Sequence, residues 1–186
     1  MISGVPIELV ASPEPLAAGR YTRREFEPGL TFEVAGGEWT AVQVFDGFFD
    51  IQQLVGTPDV IALQFARPVA LFGTHGVEVP LSEAAIAPAI LRGNPALAVL
   101  EASAVSLAGL SGAGVTIDYA GRVDGFAPVL RVPPGPISIL PARRLWIGFF
   151  DTRPGVLAIM VGGSISGFAA AVTAAQPVMG SLEIEA

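Results

Sequence analysis

Hydrophobic and polar residues alternate along much of this chain with the two-residue period of a half-buried β-strand. Residues 30–34 show this pattern clearly, and residues 60–65 are almost continuously apolar, as in a strand that is buried on both faces. Gly and Pro turns bound each such segment. The predicted strands cover residues 19–26, 30–34, 39–44, 48–55, 60–65, 99–107, 115–119, 129–132, 137–140, 145–150, 156–161 and 182–184, the first of them at a sheet edge.

Two segments have the pattern of short helices. Ser82 is suited to the N-cap of a helix over residues 82–91, in which Ile86 and Ile90 lie on one face. The Ala-rich residues 168–175 predict a second helix. Many strands with two interspersed helices predict an α+β fold, in which a single large, mainly antiparallel β-sheet has two helices packed on it.

The chain is expected to form one domain after a short leading segment. Residues 1–18 are rich in Pro and Ala and read as a linker, and residues 19–186 are long enough for a single domain. No basic and apolar leader is visible at the start. The sequence as it stands therefore predicts a cytoplasmic protein, or a cell-envelope or secreted one if a leader precedes it. The uncharged residues 154–182 contain Gly, Ser and Pro, which favours a strand, turn and helix over a transmembrane span.

Three segments together resemble the PsbP-like domains of bacterial proteins. Residues 30–42 (LTFEVAGGEWTAV) resemble their opening strand, glycine turn and tryptophan-bearing strand. Residues 97–119 resemble their strand, glycine turn and returning strand, and residues 156–184 their strand, helix and closing strand. The resemblance implies an α/β/α sandwich around an antiparallel sheet, in a protein that assists assembly or binds partners. It brings no catalytic residues with it, because the family shares none.

The composition excludes several kinds of chemistry. The chain has no Cys, no Lys and a single His, so it offers no cysteine nucleophile, no Schiff-base lysine and no thiolate metal site. No metal or cofactor is therefore predicted. A formal charge of −7 repels phosphate backbones, so nucleic acid is not an expected partner. With 52% hydrophobic and only 15% charged residues, self-association as a homodimer or contact with another protein is expected instead.

One histidine and one basic–aromatic stretch are candidates for a binding site. His75, in the loop sequence FGTHG, is the natural general base of the chain, and its alternative is an ordinary surface side chain. Arg143 and Arg144 lie beside Trp146, where they could hold a carboxylate or stack on a ring. The alternative for this stretch is an edge strand whose arginines are solvated.

Further candidates are two carboxylates and one serine. Asp50 and Asp151 each follow a Phe-Phe pair and would form a carboxylate pair if their strands meet. Ser164, in the run VGGSISG, either caps the second helix or helps to bind an anion at its N-terminus. The glycine-rich residues 109–114 precede a strand rather than a helix, which predicts a hairpin turn and not a dinucleotide-binding loop.

Two classes of function follow from these residues. The first is a non-catalytic binding or assembly module that acts through protein or small-ligand contacts. The second, less favoured, is a small enzyme or a carrier of a small apolar ligand, with an apolar pocket and a polar handle from His75, Asp50 or Arg143. A closed, filled core favours the first class, whereas a cavity of several hundred cubic ångströms with His75, Asp50 or Arg143 inside favours the second.

Overall fold

The computed structural model of the protein describes residues 5–36, 38–121, 125–133 and 135–185. The first four residues of the expected leading segment and residue 186 lie outside this range. The two α-helices are α1 (Ala87–Arg92) and α2 (Phe168–Gly180). The strands are β1 Ile7–Glu8, β2 Gly19–Arg23, β3 Leu30–Val34, β4 Thr40–Phe45, β5 Phe48–Gln53, β6 Ile61–Ala66, β7 Ala70–Phe72, β8 Glu78–Pro80, β9 Leu97–Leu107, β10 Leu110–Tyr119, β11 Ala127–Val132, β12 Gly135–Ile139, β13 Arg143–Asp151, β14 Val156–Ser164 and β15 Glu183–Ile184.

A seven-stranded antiparallel sheet forms the middle of the molecule, in the order β4-β5-β6-β14-β13-β10-β9. Two four-stranded sheets accompany it, in the orders β1-β2-β3-β15 and β12-β11-β7-β8. Pairing is antiparallel throughout except between β1 and β2. The predicted α+β class, with a large and mainly antiparallel sheet and two helices, is confirmed.

The central strands are apolar on both sides because each face of the seven-stranded sheet is covered. In β14, Ile159 and Val161 pack into a core shared with β2, β3 and α2, which we call the first face. Ala158 and Met160 point the other way, into a core shared with β7, β11 and α1, the second face. All four are fully buried. Two separate cores therefore lie on the two sides of one sheet.

The helices pack on opposite faces, as the resemblance implied. The second predicted helix forms and runs on to Gly180, with Ala171 and Ala175 buried against the first face. The first helix begins later than predicted, because Glu83 is extended (φ −151°, ψ 150°) and a single 3₁₀ turn, Ala84–Ile86, precedes α1. Ser82 as its N-cap is therefore wrong.

Two details differ from the sequence-based prediction. Leu30–Val34 is a strand as predicted but belongs to an outer sheet, since alternation along one strand does not say which sheet it joins. The turn predicted over residues 109–114 is only Ala108–Gly109, and β10 begins at Leu110. Gly112 therefore lies within the strand, where an added Cβ would stand 2.0 Å from the Phe149 carbonyl oxygen.

Residues 5–18 lie against the fold. Leu9 and Leu16 are buried in the first-face core. The backbone N–H of Ser12 donates to the Ala41 carbonyl at 2.9 Å, and that of Leu16 donates to the Trp39 carbonyl at 2.7 Å. These bonds lie along β4, so this segment covers one edge of the seven-stranded sheet.

Candidate functional site

A half-enclosed cleft of about 430 Å³ lies on the second face of the seven-stranded sheet. Its floor consists of inward-facing positions of β5, β6, β14 and β13, including Gln52, Ala62, Gln64 and Leu145. One wall is the end of β12 and the residue after it, and the other is the loop between β5 and β6. We call this hollow the sheet cleft.

Strand pairing places the polar side chains of this floor side by side. Because β5 and β6 are antiparallel neighbours, Gln52 lies opposite Ala62 and Asp50 lies opposite Gln64. Residues two apart on a strand share a face, so Asp50, Gln52 and Gln64 form one polar cluster on an otherwise apolar surface. The cluster borders the sheet cleft through its two glutamines.

Asp50 is the buried member of this cluster, with only 2% of its surface exposed. Gln52 Nε2 donates to its Oδ2 atom at 2.5 Å, while Oδ1 is buried and has no hydrogen-bond partner among the described residues. Burial raises the pKa of Asp50 to about 6, and the amides of Gln52 and Gln64 partly oppose this rise. A carboxyl group whose titration lies so close to neutral pH is unusual for an Asp.

Arg143 holds the loop wall of the sheet cleft in place. Its Nη1 donates to the Pro58 carbonyl at 3.1 Å and its Nη2 donates to the Val60 carbonyl at 2.6 Å. Burial lowers the pKa of Arg143, and the nearby carboxylate of Asp59 opposes this effect. A guanidinium remains charged in proteins, so Arg143 contributes a fixed positive charge at this wall.

Arg144 and Trp146 make their contacts within the chain. Arg144 donates to both carboxylate oxygens of Asp118, each at 2.7 Å, and its guanidinium lies 5.7 Å from the centre of the Phe168 ring. The hydrogen bond to Asp118 raises the pKa of Arg144. Trp146 is half-buried against the first-face core. Their strand, β13, lies between β14 and β10, so the edge-strand prediction for it is wrong.

The two aspartates predicted as a pair lie far apart. Asp50 shares a row of the sheet with Gln64, Met160 and Ile147, and Asp151 lies four residues beyond Ile147. Three strand spacings and four residue steps separate them by roughly 20 Å. Asp151 instead accepts a 2.8 Å hydrogen bond from the backbone N–H of Ala84, at the start of the 3₁₀ turn before α1.

Ser164 organises the turn that leads into α2. Its hydroxyl accepts a 3.0 Å hydrogen bond from the Gly167 N–H and donates to Asp59 at 3.4 Å. Asp59 belongs to the loop that walls the sheet cleft, and Ser164 is the cross-strand neighbour of Arg143. Of the residues singled out from the sequence, Arg143 and Arg144 thus line the cleft, and Asp50 and Ser164 lie beside it.

His75 lies apart from the sheet cleft and is exposed. It occupies a single 3₁₀ turn, Thr74–Gly76, with φ 58° and ψ 23°. In the described chain, no hydrogen bond joins His75 to a Ser or an Asp. Within the described ranges, no three acidic or histidine side chains gather closely enough to hold a metal ion. None of the described helices has the length and apolar character needed to cross a bilayer.

Gln52, Gln64 and Ser138 were not singled out from the sequence, although they line the cleft. A signal existed for the two glutamines. In FFDIQQ and IALQFA they interrupt apolar strands, and polar residues at inward-facing strand positions point to a site. The hydrophobic pattern around Ser138 gave no comparable signal.

Comparison with known proteins identifies similar folds and no family. No family model matches the chain, and no curated protein matches it. One similar solved structure is LpqN of Mycobacterium tuberculosis, described as involved in cell envelope biogenesis, with a TM-score of 0.46, 12% identity, and coverage of 98% of this chain and 90% of that one. Another is cyanobacterial PsbP (CyanoP) of Synechocystis sp. PCC 6803, with a TM-score of 0.49, 14% identity, and coverage of 91% and 94%. A PsbP structure is thus among the similar folds, as the sequence resemblance predicted, with a TM-score below 0.5.

Proposed function

We propose that this protein is a non-catalytic binding module that carries a small amphipathic molecule in the sheet cleft, which combines the first class with the ligand carrier of the second. The observation that supports it is the cleft itself, about 430 Å³ in volume, with a floor on which apolar residues lie beside a few converging polar groups. Ligand pockets typically measure ~300–1,000 Å³ and have this mixture of lining groups. Of the three polar handles expected from the sequence, Arg143 borders the cleft and Asp50 lies behind its floor.

The polar groups define the chemistry of the expected ligand. Gln52 commits its Nε2 to Asp50, which leaves its side-chain carbonyl oxygen as an acceptor for the cleft. Gln64 and Ser138 add groups that both donate and accept. The ligand therefore carries hydroxyl or amide groups at one end and an apolar body that rests on Ala62 and Leu145. The positive charge of Arg143 at the wall disfavours a cationic ligand.

A neutral apolar dye tests whether the cleft binds such a molecule. We expect Nile red to gain fluorescence on titration with the protein, and the backbone amides of Ala62 and Gly162 to shift in ¹H–¹⁵N spectra. Ala62→Trp, which fills the floor, should weaken binding at least about tenfold. The matched control is Ala170→Trp on the exposed side of α2, which should bind like the parent. Binding that survives Ala62→Trp, or amide shifts confined to other regions, would contradict the proposal.

Self-association was the other expectation from the sequence and remains a proposal. Residues 143–146 offer no support for such a contact, because Arg143 and Arg144 are engaged within the chain. Support for a second copy lies in a different part of the molecule, at the outer edge of β9.

A further inference from the structure

One edge of the seven-stranded sheet is covered by another segment of the chain, and the other edge is not. The β4 edge is covered by the N-terminal segment through the hydrogen bonds of Ser12 and Leu16. The β9 edge has no strand paired to its outer side in the described chain. An uncovered edge presents a row of free N–H and C=O groups on which another strand can pair.

β9 also lacks the features that usually protect an edge strand. It is 11 residues long, and its register with β10 is regular from Glu101 to Leu107, with one irregularity next to Leu100. That regular stretch contains no Pro and a single charge, Glu101. Natural edges are blunted by Pro, by charges or by short length. The edge strands β8 and β12 follow this rule with three and five residues and with Pro80 and Pro136.

We propose that a second copy of this chain pairs with the outer edge of β9, antiparallel and about a two-fold axis at Ala104. The hairpin geometry fixes which backbone groups are free for this pairing. The turn residues Ala108 and Gly109 both have positive φ, 50° and 79°, as in a two-residue type I′ hairpin. In such a hairpin the flanking pair, Leu107 and Leu110, exchanges hydrogen bonds.

Because antiparallel strands alternate, the N–H and C=O groups of every second residue then point away from β10. Counting back from Leu107, the outward-pointing residues are Ser106, Ala104 and Ala102. Centring the two-fold axis on Ala104 pairs each Ala104 with its counterpart, and Ala102 with Ser106. All outward backbone groups of these three residues are then satisfied in both copies.

The side chains agree with this register. Glu101 falls opposite Leu107 of the second copy, and Ser103 falls opposite Val105, so no like charges meet across the contact. The residues that point to the second face, Ala102, Ala104 and Ser106, are all small and permit close approach. The assembly also stops at two copies. In the dimer the β9 edges of the two copies pair with each other, and the β4 edge of each copy is covered by its own N-terminal segment. The dimer thus buries surface of a chain in which 52% of the residues are hydrophobic, and it leaves no open edge of the seven-stranded sheet to which further copies would add.

A charge-swap experiment tests both the dimer and its register. Sedimentation velocity from micromolar to submillimolar protein, in 150 mM NaCl to screen the net charge of −7, should show a dimer that dissociates on dilution. Ala104→Lys and Ala104→Glu should each weaken the dimer about tenfold or more, because each places two like charges face to face. An equimolar mixture of these two variants should restore it as a heterodimer.

Ala170→Lys, the same change of charge on exposed α2, is the matched control and should dimerise like the parent chain. A parent chain that stays monomeric at every concentration overturns the proposal. So does a dimer that persists in Ala104→Lys, because its contact would lie elsewhere. The β9 edge and the sheet cleft share no residue, so dye binding by a monomer, or dimerisation without dye binding, separates the two proposals.

Discussion

Replacing Asp50 with Asn should stabilise the protein at neutral pH and leave it nearly unchanged in acid. The reason is the raised pKa of this buried carboxyl, about 6 in the folded state against 3.8 for a free Asp. Between these two values the unfolded chain releases the proton while the folded chain retains it. The free energy of unfolding therefore falls as the pH rises through this window.

The size of this effect follows from the same two values. Each pKa unit corresponds to ~1.36 kcal/mol, so the ionised Asp50 costs the folded state about 3 kcal/mol above pH 7. The group is 2% exposed, so solvent screening reduces this figure little. Asn keeps the acceptor for Gln52 Nε2 and places an amide where Oδ1 lacks a partner, within reach of Gln64.

Urea unfolding of the parent and Asp50→Asn chains between pH 4 and pH 8 measures the difference directly. The two free energies should agree to within ~1 kcal/mol at pH 4 and diverge through pH 6, with the variant the more stable. Asp46→Asn is the matched control, since the Asp46 side chain is 93% exposed and a surface change of this kind is worth ~0.5 kcal/mol or less. A pH-independent difference for Asp50→Asn would refute the argument, because it would mean that burial does not perturb this carboxyl.

Three further substitutions have defined expectations. Asp151→Ala removes the acceptor for the Ala84 N–H and should lower the free energy of unfolding by ~1 kcal/mol, measured in urea; an unchanged midpoint would contradict the capping role. Arg143→Met removes two charge-assisted hydrogen bonds to the loop wall. It should lower the free energy of unfolding by about 2 kcal/mol and weaken Nile red binding. An unaltered dye affinity would mean that Arg143 has no part in ligand binding. His75→Ala should change the free energy of unfolding by ~0.5 kcal/mol or less and leave dye binding intact. A loss of dye binding would show that His75 belongs to the binding site.

The candidate site was only partly visible in the sequence. Arg143, Asp50 and Ser164 were chosen for their chemistry, and all three lie at or beside the sheet cleft or its loop wall. Asp151 was chosen by the same reasoning and lies roughly 20 Å from Asp50, since identical Phe-Phe-Asp motifs say nothing about the strands between them. Gln52 and Gln64 were missed, although their inward positions on apolar strands marked them.

The sequence by itself determined most of the strands, though not β1, β7 and β8, together with the two helical segments and the α+β class. It could do so because the period of apolar residues is a local property that each segment carries alone. Tertiary structure decided the rest. Which sheet Leu30–Val34 joins, which strand is an edge and which carboxyl is buried all depend on contacts between distant segments. Arg143 illustrates the division: its chemistry could be read from the chain, but its hydrogen bonds to Pro58 and Val60 exist only because β13, β14 and β6 pair side by side. Local patterns specify elements, and the pairing of distant strands specifies the site.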